Sequence, residues 1–298
     1  MVTNKLAYHD YLQKEKNYSL HTLKAYLNDV SEFENFLKTH DVDSVLETVG
    51  YSQIRSWIVF LVENNVSNTS VNRKISSLKS FYKFLLKTKQ IEVNPLQKHK
   101  SLKTSKKIQI PFSEKELELV FEENDYPDDF EGIRNRLIIE LFYATGMRRA
   151  ELIALEMGNY SAYNKTFKVL GKRNKERVLP LLDCTIQLLN RYVIERKRLA
   201  IIENDNLLIL NKNGHKISES FVYRLINDYF STVSEKTKKS PHVLRHTFAT
   251  HLLNNGADLN SVKELLGHAS LSSTQIYTHS SLSELKRVYQ DAHPRNRK

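Results

Sequence analysis

Apolar residues at steps of three and four set the first constraint on this chain. From Ser19, the segment "SLHTLKAYLNDVSEFENFLK" places Leu20, Leu23, Leu27, Val30, Phe33 and Leu37 on one stripe, the period of an amphipathic helix, with Ser19 as its N-cap. Residues 3–15, "YSQIRSWIVFLVEN" from 51 and "TSVNRKISSLKSFYKFLLKTK" from 69 add three more helices. The last carries Val71, Ile75, Leu78, Tyr82 and Leu85 on one face. Residues 1–97 therefore read as a small all-helical domain.

"QKHKSLKTSKKIQIP" follows, with five lysines and no acid, the composition of an exposed linker. The boundary is placed at 98–111, and 112–298 forms a second domain. Net charge is +4 for residues 1–100, +3 for 101–111 and +4 beyond, so the linker is the densest positive segment.

The second domain opens with helices at 113–124, 130–145 and 149–155. The period then changes: Thr166 to Leu170 and Arg177 to Leu181 are β-prone and flank the polar stretch Gly171 to Glu176, which predicts a β-hairpin. "NLLILNKNGHKIS" is a candidate third strand, with "NG" as its turn signal. Helices resume after Ser218. The expected fold class is mainly α with a small antiparallel sheet.

At 298 residues the chain is long enough for two domains, and a net charge of +11 favours a polyanionic partner, nucleic acid or an anionic membrane face. No apolar run reaches the roughly 20 residues that span a bilayer, and the N-terminus lacks the apolar core of a signal peptide. The expectation is a cytoplasmic protein. A single cysteine, Cys184, excludes an intrachain disulfide framework and reads as a small buried core residue.

Residues 240–282 hold five histidines, and "HVLRHTFATH" sets His242 and His246 four apart, as zinc proteases do. That motif needs a Glu after its first His; here the position is Val243, and Arg245 adds a fixed positive charge, so no metal is expected. A guanidinium beside an imidazole suits a phosphate or carboxylate. Pro241 fits a first helical turn and Ser240 an N-cap, which puts His242 and Arg245 one turn apart at a helix N-terminus; a solvated face is the alternative. In "YATGMRRAELIAL", Gly146 reads as a helix C-cap and leaves Arg148 at a junction between helices, or in a surface arginine pair with Arg149. Lys172, in "GKRNKE", is either a mobile proton donor or a solvated turn residue.

In order along the chain, "ATGMRRAEL", "GKRNKER", "HVLRHTFATHLL" and "LLGHASLSSTQIYTH" resemble the four motif boxes of the tyrosine recombinases, the phage integrases and bacterial Xer recombinases. The tail and length resemble the Xer branch. The resemblance implies an N-terminal SAM-like helical core-binding domain and a C-terminal α+β catalytic domain. It implies that Tyr277 is the nucleophile, with Arg148, Lys172, His242, Arg245 and His268 around a scissile phosphate, His242 as base and Lys172 as acid, and no cofactor. Arg173 stands where the family often has glycine, and "LEMGNY" where an acidic pattern is usual. His246, His251 and His279 have no catalytic counterpart and read as scaffold or DNA-proximal residues.

The same resemblance implies strand exchange through a 3′-phosphotyrosyl intermediate and a Holliday junction on double-stranded DNA sites. Its context is the resolution of chromosome dimers at cell division by a cyclic tetramer, a hetero-tetramer with a second Xer recombinase, under a DNA translocase and at the nucleoid. A mobile-element integrase and a non-catalytic architectural DNA-binding protein are the alternatives. Arg73, Lys74, Lys79, Lys103, Lys106 and Lys107 are candidate DNA contacts. Leu282, Leu285, Val288 and Tyr289 form an apolar stripe on a terminal helix expected to dock on a neighbouring protomer, with packing against its own domain as the alternative.

Overall fold

The computed structural model describes residues 4–41, 45–105, 109–123, 126–171, 175–236, 238–267 and 279–296, with the backbone alone at 123 and 279–281. The chain forms two compact units, Met1–Lys107 and Ile108–Lys298.

In the first unit, α1 (Asn4–Asp10) runs into a π turn at Tyr11–Glu15, followed by α2 (Leu20–His40), α3 (Tyr51–Glu63) and α4 (Asn68–Lys87). Ser19 and Ser67 cap α2 and α4, their hydroxyls accepting from the amides of Thr22 and Ser70. The expected stripe of α4 is buried in full, against Leu23, Val30, Phe33 and Leu37 of α2 and Trp57 of α3. Leu20 departs from its stripe: at the first position of α2 it overhangs the core and is 76% exposed. The lysine-rich stretch is partly fastened to α4, because Asn72 brackets the backbone of Leu102 and Asn68 donates to the carbonyl of Lys103.

In the second unit, α5 (Glu114–Glu118) and a π turn (Leu119–Glu123) precede α6 (Phe130–Thr145), α7 (Arg149–Ile153), β1 (Tyr160–Ser161), β2 (Thr166–Leu170) and β3 (Glu176–Pro180). Then come α8 (Asp183–Lys197), α9 (Glu219–Ser231), α10 (Pro241–Asn254), α11 (Leu259–Leu266) and α12 (His279–Ala292). Helix α6 is the central rod, buried from Leu137 to Thr145 and packed on α8 and α10. Its apolar residues cover every face because neighbours surround it.

The sheet is antiparallel in the order β1-β2-β3, with Phe167 opposite Leu179 and Leu170 opposite Glu176. One expectation is corrected here. The third strand is the short Tyr160–Ser161 pair, whereas "NLLILNKNGHKIS" makes only isolated bridges, Glu156 to Leu207 and Leu210 to Lys216, around its Asn-Gly turn. Its apolar residues Leu207 to Leu210 are buried without sheet neighbours, so burial rather than strand pairing accounts for the apolar run.

In the single chain, α12 packs on its own unit. Leu285, Tyr289 and Ala292 are buried in this same unit against Phe248, Leu252, Val262 and Leu266. Of the stripe, Leu285 and Tyr289 are buried, while Leu282 and Val288 stay half-buried.

Candidate functional site

The turn after α6 places the first cation. Gly146 takes the left-handed conformation at φ 58°, and a Cβ there would lie 2.4 Å from the Phe248 ring. Only glycine suits both demands. The chain then re-enters a helix with Arg148 as the N-cap residue of α7. Its backbone amide donates to Glu151 Oε2 at 2.7 Å and its Nη1 to Glu151 Oε1 at 2.8 Å, while Nη2 reaches the carbonyl of Gly267 at 3.1 Å.

Helix α10 supplies the second. Pro241 occupies its first turn, as expected, but Ser240 caps with its backbone carbonyl and not its hydroxyl. One turn in, Arg245 donates from Nη1 to Gly146 O and from Nη2 to Leu266 O, each at 2.5 Å. Arg148 and Arg245 therefore meet at one backbone corner, formed by the end of α6 and the end of α11. Among the described residues each guanidinium uses two of its five N–H groups in these bonds, leaving donors for an anion. Burial, with Arg148 and Arg177 nearby, pulls Arg245 down to about 10, so it stays cationic at neutral pH.

His242 lies exposed on the wall of a cleft of about 400 Å³ shared with Arg245, His246 and Gln109. An adjoining cleft of about 280 Å³ adds Arg148, Arg149, Tyr223, Lys238 and Lys239. Partial desolvation, then Arg149, Arg245 and Arg148, lowers the His242 pKa from its ordinary value. A neutral imidazole beside two guanidiniums can accept a proton next to a bound anion.

Glu151 organises the corner. Burial alone would raise its pKa, but the hydrogen bonds and charge of Arg177, with those of Arg148, bring it to about 2. It is a fixed anion between two guanidiniums.

The structure thus brings together Arg148, His242 and Arg245. Lys172, His268 and Tyr277 lie outside the described residues, as does Arg173. The chain beside two of them is placed: Gly171 N donates to Lys175 O at 2.7 Å, closing the base of the hairpin loop. A Cβ on Gly171 would lie 3.9 Å from Arg148 Nη1. Gly267, whose carbonyl Arg148 holds, directly precedes His268.

Of the other histidines, His251 is buried and paired with the Tyr143 hydroxyl at 2.9 Å, a scaffold position. His246 is exposed on the cleft wall, and the side chain of His279 lies outside the described residues. Cys184 is half-buried beside Glu140 rather than fully enclosed. Among the described residues no group of three His, Cys, Asp or Glu side chains is placed to hold a metal ion.

The candidate DNA contacts of the first unit divide. Arg73 makes a forked pair with buried Asp29, at 2.5 and 2.9 Å, and Lys74 pairs with Glu32, so both are held by internal carboxylates. Lys103 is exposed and Lys79 half-exposed, with no ion pair to a described carboxylate. Lys106 and Lys107 lie outside the described residues. Sequence reading missed Lys238 and Lys239 of the second cleft, although "KKSPH" sets them directly before the histidine box.

A profile described as "Phage integrase family" matches residues 121–284, and one described as "Phage integrase, N-terminal SAM-like domain" matches residues 6–89. Tyrosine recombinase XerC of Staphylococcus epidermidis is 42% identical over 289 residues, 96% of each chain. XerC of Bacillus subtilis is 38% identical over 289 residues, 96% of this chain and 94% of that one. Among solved structures, the XerH recombinase bound to a palindromic difH substrate superposes with a TM-score of 0.70 at 24% identity, over 98% of this chain and 82% of that one. The Tn1549 transposon integrase in complex with circular intermediate DNA gives 0.70 at 20% identity, over 95% and 99%. These two similarities concern the fold.

Proposed function

Because the chain belongs to the phage integrase family and is a tyrosine-type site-specific recombinase, we propose that Tyr277 cuts DNA within a constellation of Arg148, Lys172, His242, Arg245 and His268. The observation that carries this reading is the convergence of Arg148 and Arg245 beside a neutral His242, at the corner where the hairpin loop begins and α11 ends.

The chemistry follows from these groups. The Tyr277 hydroxyl oxygen attacks the scissile phosphorus, and its proton passes to His242, since a phenol of pKa near 10 attacks poorly while protonated. The P–O5′ bond breaks, Lys172 protonates the leaving oxygen, and a 3′-phosphotyrosyl link and a free 5′-hydroxyl remain. Arg148 and Arg245 meet the extra charge on the non-bridging oxygens with preorganised N–H donors. His268 hydrogen-bonds the phosphate. The covalent link conserves the bond for religation to a second strand through a Holliday junction.

The substrate is a double-stranded recombination site gripped by residues 1–97 and 112–298, with 98–111 joining them. Exposed lysines such as Lys103 supply the phosphate contacts. Relatives named XerC at about 40% identity favour chromosome-dimer resolution over a mobile-element role; a tetramer with a second Xer recombinase, under a DNA translocase, completes the proposal. No helix among the described residues is long and apolar enough to cross a membrane, in keeping with work at the nucleoid in the cytoplasm.

The test is incubation with a nicked suicide DNA site. Wild type should trap a covalent protein–DNA adduct, and Tyr277→Phe should bind the site without trapping one. Absence of an adduct from wild type on cognate sites of both chromosomal and mobile-element type would leave the architectural reading in its place.

A further inference from the structure

Arg177 is 4% exposed although it belongs to β3 of a surface hairpin. All its heavy-atom donors are engaged: Nε to Leu265 O at 2.8 Å, Nη1 to Glu151 Oε1 at 2.8 Å, and Nη2 to Glu151 Oε2 at 2.7 Å. Its guanidinium lies against both glycines that bound the candidate catalytic segments. A Cβ on Gly171, at the base of the hairpin loop, would come within 3.6 Å of Arg177 Nη1. A Cβ on Gly267 would come within 3.0 Å of Arg177 Cδ. The same carboxylate that Arg177 grips also holds the backbone and side chain of Arg148.

We infer that Arg177 is a positioning residue, which sets the base of the Lys172 hairpin against the Arg148–Glu151 pair and the end of α11. The assignment rests on the recombinase reading above.

Two physical arguments support it. A buried ion pair adds little net stability over well-packed apolar groups, so its distinctive contribution here is fixed geometry. A planar fork with three engaged nitrogens also resists rotation, which a single ammonium does not. Strand β3 cannot slide along β2 without breaking the Glu151 fork, so Gly171 and Lys175, the residues on either side of the loop, are held at a set height beside Arg148. A lysine at 177 would keep the charge and lose the fork.

The test uses Arg177→Lys in the full chain, with single-turnover adduct formation on two versions of the suicide site. One carries the natural 5′-oxygen at the scissile bond, the other a 5′-bridging sulfur. A thiolate leaves without prior protonation, so displacement of Lys172 matters for the oxygen substrate and hardly at all for the sulfur one.

With DNA affinity and thermal melting measured alongside, R177K should bind DNA like wild type. It should cleave the oxygen site about 10- to 100-fold more slowly and approach wild type, within about threefold, on the sulfur site. An unchanged rate on the oxygen site, or an equal loss on both sites, would overturn the assignment. If R177K fails to fold, Arg177→Gln carries the same comparison, because its amide keeps a donor for Glu151 and loses the three-nitrogen fork. No adduct from wild type on either site would instead sink the recombinase reading itself.

Discussion

The Tyr289 hydroxyl donates a 2.8 Å hydrogen bond to the carbonyl oxygen of Ala144, and so ties α12 to the last turn of α6. The carbonyls of a helix's last turn have no partner within the helix. In α6, Phe142 O receives the amide of Gly146, Tyr143 O the imidazole of His293, and Ala144 O the phenol of Tyr289. The C-terminal segment thus completes the helix whose end holds Gly146 and Arg148.

Tyr289→Phe removes that donor and leaves a buried carbonyl unmatched. It should lower stability by about 1–2 kcal/mol, read as a shift in urea midpoint at constant slope. A midpoint equal to wild type would mean that the contact contributes nothing.

His293 gives a pH dependence with a definite sign. It is fully enclosed; its Nε2 must donate to Tyr143 O, and its Nδ1 accepts from the amide of Arg295. Burial holds its pKa down to about 3, below the unfolded value near 6.5. A depressed pKa means that the unfolded chain takes up a proton that the folded chain refuses. The stability from this group is therefore complete above pH 6.5 and lost as pH falls toward 3, at about 1.4 kcal/mol per pH unit. Urea titrations from pH 7 to 4 should show that slope in wild type and a shallower one in His293→Gln.

Arg73 and Lys103 should behave differently in DNA binding. Arg73 is committed to Asp29, which is buried and also receives the hydroxyl of Ser77. Arg73→Ala should therefore cost about 2–3 kcal/mol of stability, less than a fully buried pair because Arg73 is half exposed. It should leave the salt dependence of binding unchanged. Lys103→Ala should leave stability alone and reduce the slope of log K against log salt by about 1.

His242 sets the acidic limb of the cleavage profile. Partial desolvation and its arginine neighbours lower its pKa, so it is neutral, and able to take the tyrosyl proton, down to a pH below its ordinary 6.5. The second-order cleavage rate at limiting DNA, which reports the free protein, should rise with pH to a midpoint under 6.5 and then level. His242→Gln should lose that limb together with most of the rate. A midpoint above 6.5 would assign the base to another group.

Much of this was legible in the residues, because local physics is written locally. The stripe from Val71 to Leu85, the left-handed Gly146 and the pairing of Thr166–Leu170 with β3 all followed from period or turn chemistry. What escaped depends on distant partners. Arg177 read only as the start of a β-prone stretch, with nothing local to point to Glu151, 26 residues away, which it grips. Arg73 looked available for DNA until Asp29, 44 residues away, claimed it. The apolar period of α12 gave no hint that Tyr289 and His293 bond the last carbonyls of α6, 145 and 150 residues away.

The central claim is that Tyr277 becomes covalently joined to the 3′ side of the broken strand. The direct measurement is peptide mapping of the trapped adduct, with the DNA labelled on the 3′-phosphate side of the nick. The label should travel with the single peptide that contains Tyr277, and a free 5′-hydroxyl should appear on the other strand end. A label on another residue, or a 5′-linked adduct, would contradict the account.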